Sequence, residues 1–227
     1  MKLMPIIRPN APAPARPQAS PSGGVHGGVH VDLRSAHAGG QQILGPISFS
    51  IAPGASLALV GPSGVGKSTL LRVICGLHSD YDGSCERPER ISTVFQEPTL
   101  LPWRSALDNL TLTTRIDAPK ARQWLAQVGL SDHADLFPGQ LSLGQQRRLA
   151  LARAFAAAPD LLLMDEAFVS LDPRLADEMM RLFETLRAHH VTTTIVVTHD
   201  PKEAARLCDR VLTLFGRPAQ VQTADPS

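Results

Sequence analysis

The chain has 227 residues, enough for one domain of ordinary size around a single large core, or for two very small ones. Its 22 Lys and Arg oppose 21 Asp and Glu, a net charge of +1 that gives no electrostatic reason to expect a nucleic-acid partner. The apolar runs at 154–158 and 161–164 are stopped by Pro159 and Asp165, far short of the ~20 residues that cross a bilayer, so the chain is not expected to span a membrane. Residues 1–7 hold one Lys and a short apolar patch with Pro9 close behind, too little for a secretory signal, and a cytosolic location is the default expectation. Cys75, Cys85 and Cys208 are odd in number and lack zinc or redox spacing, which points to free or buried thiols.

Six of the nineteen prolines fall within the first 21 residues, and 9–28 is almost entirely Pro, Ala, Gly, Ser and other polar residues. Such a segment buries too little apolar surface to offset its ordering entropy, so 1–28 is expected to be a disordered tail and 29–227 the folded domain. The alternation Ile47-Ser48-Phe49-Ser50-Ile51 signals a half-buried strand, and Pro53-Gly54 turns the chain before the apolar run at 57–60. Short antiparallel strands therefore open the domain.

From residue 57 the rhythm changes. Apolar runs at 57–60, 91–95, 161–164, 194–197 and 211–214 are mostly separated by helical segments, the pattern of a parallel sheet covered on both faces. Between Glu97 and Pro159 no strong strand run occurs. Ala121, Trp124, Leu125 and Val128 recur there at helical spacing behind an Asp117 cap and an early Pro119, and 145–157 reads as a second helix. The expected fold class is α/β, with a parallel sheet, an N-terminal antiparallel β subdomain and a helical subdomain at about 98–158. The chain shows no internal repeat and no coiled-coil heptad.

Gly61-Pro62-Ser63-Gly64-Val65-Gly66-Lys67-Ser68-Thr69 follows a predicted strand and opens a predicted helix, the context that a P-loop requires. The glycines let backbone N–H groups curl round a phosphate, and the helix start adds its dipole. Lys67 is expected to reach the β- and γ-phosphates, Ser68 to hold Mg²⁺ through its hydroxyl, and Thr69 to approach the α-phosphate. The competing reading, a Gly-rich turn with no ligand, fits poorly with the strand before it and the helix after. Asp165 and Glu166 end an apolar strand, at the carboxyl edge where open α/β sheets bind ligands. There Asp165 would hold Mg²⁺ through a water, and Glu166 would orient and polarise the attacking water. Without the P-loop the same pair would read as a solvated acidic surface.

Leu141-Ser142-Leu143-Gly144-Gln145 stands just before a helix, between the P-loop and the acidic strand end. This pentapeptide resembles the signature motif of the ATP-binding cassette (ABC) family, and the motif order is also that family's; the resemblance covers 29 to about 215. It implies a P-loop NTPase core in which Ser142, Gly144 and Gln145 serve the γ-phosphate of an ATP held by a second copy of the chain. A Ser at a helix start can equally cap its own helix. The resemblance further implies that Gln96 contacts Mg²⁺ and the attacking water, that His199 contacts the γ-phosphate, and that Ser170-Leu171-Asp172 packs across a dimer interface. An Asp before Pro173 is also an ordinary helix cap. Leu143 stands where the family usually has Gly. No benzenoid ring precedes the P-loop where the family stacks adenine: Ala38 is there, with His37 one position earlier.

Phe95-Gln96-Glu97-Pro98-Thr99-Leu100-Leu101-Pro102-Trp103 is similar to the import ATPases for nitrate, sulfonates and taurine. Trp103 would either line the groove that receives a helix of the membrane subunit or sit in the core. The resemblance implies a Mg²⁺-dependent ATPase subunit of a bacterial importer, a homodimer on the cytoplasmic face of the inner membrane. Its partners would be transmembrane permease subunits and a solute-binding protein. An exporter ATPase and a hydrolysis-poor regulatory module are the alternatives. A chromosome-maintenance ATPase would need a long coiled coil between Lys67 and Ser142, for which there is no room.

Overall fold

The structure, a computed structural model, describes residues 27–169 and 171–223. The first sheet is antiparallel. β1 (Val29–Ala38) alternates in burial, with Val29, Val31 and Leu33 inward and His30, Asp32 and Arg34 outward. It pairs with β3 (Ile47–Ile51), which sets Val31 opposite Phe49, and its far end pairs with β2 (Gln41–Leu44) across the Gly39–Gly40 turn. β5 (Tyr81–Glu86) covers the other edge of β1. Its sequence, YDGSCE, has no apolar alternation and carries no strand signal of its own.

The second sheet has six strands in the order β10-β9-β4-β8-β7-β6, where β4 is Ser56–Val60, β6 Ile91–Phe95, β7 Leu161–Asp165, β8 Thr193–Val197, β9 Arg210–Phe215 and β10 Gln220–Thr223. β6, β7, β8, β4 and β9 run parallel, and only β10 is antiparallel, at the edge. The central strands are buried on both faces, hence their unbroken apolar runs. Leu162, Met164 and Val196 pack into a core with Phe155 and Phe183, while Leu161, Leu163, Ile195 and Val197 pack into a second core with Leu59, Leu70 and the antiparallel sheet.

The helices are α1 (Lys67–Cys75), α2 (Ala106–Thr114), α3 (Ala118–Gln127), α4 (Leu143–Ala156), α5 (Pro173–His189) and α6 (Pro201–Leu207). Five of them start on a side-chain cap: Ser105, Asp117, Ser142, Asp172 and Asp200 each accept a backbone N–H of the first turn. The expected helix at 145–157 thus begins two residues earlier, because Ser142 takes the cap. α2, α3 and α4 all lie between β6 and β7, within the segment read as helical.

The expected tail at 1–28 falls outside the described residues except for its last two. Gly28 is buried, and the carbonyl of Gly27 accepts a hydrogen bond from the Thr193 hydroxyl, so the fold extends two residues further than composition suggests. The cysteines are unpaired, as expected. No helix among the described residues is long and apolar enough to cross a membrane.

Candidate active site

Because β4, β8, β7 and β6 are adjacent and parallel, four loops emerge side by side from their carboxyl ends. They carry the P-loop, His199, Asp165-Glu166 and Gln96. A cavity of about 590 Å³ opens among three of these loops, lined by Ser63, Gly64, Gly66, Lys67, Ser68 and Thr69 of the first, Gln96 of the β6 end, and Asp165 and Glu166 of β7, with Phe95, Glu97 and Thr99 alongside. Gly61, Pro62 and Val65 shape the loop without lining the cavity. Gly61 has φ 151°, and a Cβ there would stand 2.5 Å from the Leu214 carbonyl oxygen; at Gly66, φ 118°, a Cβ would meet Leu44 at 2.7 Å. Only glycine lets the loop pass this close to β9 and β2.

Lys67 is 6% exposed, and its ammonium donates to the carbonyls of Gly61 (2.8 Å) and Pro62 (3.0 Å), with Glu166 Oε1 at 3.9 Å. Glu166 itself adopts φ 51°, unusual for a residue with a side chain, and its N–H donates to Val197 of the neighbouring strand at 3.0 Å. His199, 59% exposed, brings Nδ1 to 4.0 Å from Glu166 Oε1. Burial pushes the Asp165 carboxyl up, the Glu166 charge adds to the rise, and Lys67 and Arg72 oppose it. The Ser68 hydroxyl, the Asp165 carboxylate and the Gln96 amide offer oxygen donors only, a set that suits a hard cation such as Mg²⁺.

Ser142, Gly144 and Gln145 do not line this cavity. They open α4, where the Ser142 hydroxyl accepts the Gln145 N–H at 3.3 Å while Gln145 Oε1 accepts the Ser142 N–H at 2.8 Å, a capping box. The remaining amide nitrogen of Gln145 pairs with His133 Nε2 at 2.9 Å. Ser142 therefore caps its own helix within one chain. Leu143 is 50% exposed beside it.

The family model described as ABC transporter matches residues 44–169, a span that contains the P-loop, Ser142 and Glu166. The chain belongs to the ABC transporter family. It is 45% identical to the aliphatic sulfonates import ATP-binding protein SsuB of Mycobacterium sp. (strain MCS), over 78% of this chain and 75% of that one. To SsuB 1 of Pseudomonas syringae pv. syringae (strain B728a) it is 40% identical over 84% of this chain and 83% of the relative. To SsuB 1 of Frankia alni it is 40% identical over 92% and 81%.

Within this ABC fold, several residues that the sequence did not single out tie the helical segment to the site. Arg153 of α4 donates to the carbonyls of Pro98 and Thr99, just after Gln96, and the strained Thr99, φ 45°, also accepts through its hydroxyl. Arg147, buried on the same helix, donates to the Ala167 carbonyl at 2.5 Å, one residue past Glu166. Asn109 of α2 is fully buried; its amide oxygen accepts from Leu101 N–H at 2.8 Å, and its nitrogen lies 2.9–3.2 Å from the carbonyls of Leu101, Arg104 and Ser105. That amide shapes the loop that presents Trp103, which is 68% exposed. The core alternative for Trp103 is thereby excluded. No local sequence sign marks Asn109 or the arginines for these contacts, because only the packed structure buries them. Ser170 lies outside the described residues; its neighbour Asp172 caps α5.

Proposed function

We propose that this chain is the ATP-hydrolysing subunit of a bacterial ABC importer that takes up aliphatic sulfonates. The observation that carries it is the convergence of Lys67, Ser68, Asp165 and Glu166 on one cavity at adjacent strand ends. The solute class comes from the import names of the three relatives, none of which carries an export name.

The site residues take these roles. Lys67 exchanges the Gly61 and Pro62 carbonyls for the β- and γ-phosphates of ATP, a charge-assisted and therefore stronger interaction. Gly61, Pro62, Ser63, Gly64, Val65, Gly66 and Thr69 shape the backbone cradle around the phosphates, whose anionic charge the start of α1 favours. Ser68 and Asp165, with Gln96, would hold Mg²⁺, which when bound neutralises charge on the transferred phosphoryl group. Glu166 accepts a proton from the attacking water, and His199, whose ring stands next to it, holds the γ-phosphate side. Ser142, Gly144 and Gln145 meet the γ-phosphate bound by a second copy in a homodimer. The helical segment at about 98–158 forms a subdomain that presents Trp103 to a permease subunit on the cytoplasmic face of the inner membrane, and a solute-binding protein delivers the sulfonate. Nucleic acid has no part in this reading.

The purified protein is expected to release phosphate from ATP with Mg²⁺ and to stop when the metal is chelated. A chain that hydrolyses no ATP, alone or with its permease subunits, contradicts the proposal.

A further inference from the structure

One buried hydroxyl ties the turn that carries His199 to the helix that follows it. Thr198 follows β8 directly and has no exposed surface; its N–H donates to the Leu59 carbonyl of β4 at 3.2 Å. Its hydroxyl donates to Glu203 Oε2 at 2.6 Å and accepts the Asp200 N–H at 3.0 Å. One oxygen thus grips the residue after His199 and the first turn of α6 at once. Glu203 is itself buried, 8% exposed, and the Asp200 carboxylate caps α6 by accepting the Lys202 N–H at 2.8 Å.

His199 has little packing to hold it, since its side chain is 59% exposed. The backbone of the turn fixes where the His199 Cα and Cβ stand, and with them the reach of the ring whose Nδ1 lies 4.0 Å from Glu166 Oε1. We propose that Thr198 and Glu203 are positioning residues for ATP hydrolysis, holding His199 beside Glu166 through the shared hydroxyl; this rests on the ATPase reading above. An ionised carboxylate only accepts hydrogen bonds. It therefore turns the Thr198 proton toward Glu203 and leaves a hydroxyl lone pair for the Asp200 N–H. Burial raises the Glu203 carboxyl above its ordinary range, and the Thr198 hydroxyl opposes that rise by favouring the charged form. Valine matches the shape of threonine but can neither donate nor accept. Serine can do both.

The test compares Thr198→Val, Thr198→Ser and Glu203→Gln with the wild-type full chain. Thr198→Val lowers kcat about tenfold, the scale of a modest loss of orientation, while affinity for a non-hydrolysable ATP analogue stays within about twofold. Thr198→Ser restores kcat to within about threefold. Glu203→Gln falls between them, and Thr198→Val/Glu203→Gln is no worse than Thr198→Val, because both act through one bond. The ring resonance of His199, assigned by its loss in His199→Ala, shifts or broadens in Thr198→Val and stays in place in Thr198→Ser. Equal kcat in Thr198→Val and wild type overturns the proposal, as does a kcat loss that Ser does not restore or an unmoved His199 resonance. If the wild type hydrolyses no ATP, the ATPase reading fails, and the resonance still decides whether the hydroxyl holds His199. Should Thr198→Val not fold, Glu203→Gln carries the same comparison.

Discussion

The ammonium of Lys67 stands 3.9 Å from Glu166 Oε1, and both side chains line the same cavity although they come from opposite halves of the chain. Lys67 is thus held ready by a carboxylate and two loop carbonyls, all of which can yield to phosphate oxygens. Lys67→Ala is expected to weaken ATP binding by roughly 2–3 kcal/mol, the value of charge-assisted hydrogen bonds, or about 100-fold. Calorimetric titration measures it, and unchanged affinity would remove Lys67 from the phosphate site.

Glu166→Gln keeps the shape and loses the basicity. Turnover is expected to fall by ~10² to 10⁴ with ATP affinity nearly unchanged. With hydrolysis arrested in this way, ATP and Mg²⁺ convert monomers to dimers, visible by light scattering, and adding Leu143→Gly leaves dimer affinity the same or slightly lower, because the half-exposed Leu143 has room. A monomer under all conditions, even with permease subunits present, contradicts the shared site.

Gly61→Ala would set a Cβ 2.5 Å from the Leu214 carbonyl in a backbone conformation that side chains avoid. A loss of about 2–4 kcal/mol in stability is expected. Urea unfolding measures it. A variant as stable as the wild type would mean that the loop can move away from β9.

Asn109→Ala removes the amide that binds Leu101, Arg104 and Ser105. The loop's carbonyls lose their partner, at a cost of about 2–3 kcal/mol. In a Trp124→Phe background Trp103 is the sole tryptophan, and the anisotropy of the tryptophan emission, excited selectively over Tyr81, should fall in Asn109→Ala. Unaltered anisotropy and stability would show that the loop holds itself.

Burial pushes the Cys208 thiol up to about 12. The native thiol stays protonated at pH 9 to 10, whereas in the unfolded chain it ionises near ~8.5. Below that value the linkage is silent, and above it the unfolded state binds fewer protons, so stability falls as pH rises. In a Cys75→Ala/Cys85→Ala protein, a thiol reagent at pH 9 should label Cys208 only as fast as the chain unfolds. Rapid labelling of the native state would refute the shielding.

Much of the site is legible in the order of residues along the chain. The P-loop, Asp165-Glu166, Gln96 and His199 each follow a short run rich in apolar and β-branched residues, the usual imprint of a parallel strand on the sequence. The Asp117 cap with its early Pro119 places α3 for the same local reason. β5 is not legible, because YDGSCE is strand only by virtue of the edge of β1 beside it. β10 likewise exists as the antiparallel partner of β9.

Sequence alone determined which residues form the glycine-rich loop, the acidic strand end and the helix caps, since glycine spacing, capping side chains and apolar runs are local properties with a fixed physical meaning. Tertiary structure alone decided that β6, β7, β8 and β4 lie next to one another, which brings Glu166 to Lys67 and His199 to Glu166. It also decided that Trp103 faces outward, that Arg153 of α4 grips the carbonyls of Pro98 and Thr99, and that the Thr198 N–H pairs with Leu59 of β4, contacts between residues far apart in the chain. Strand order and buried polar contacts depend on long-range packing, where many pairings satisfy the same local pattern and only the whole core selects one.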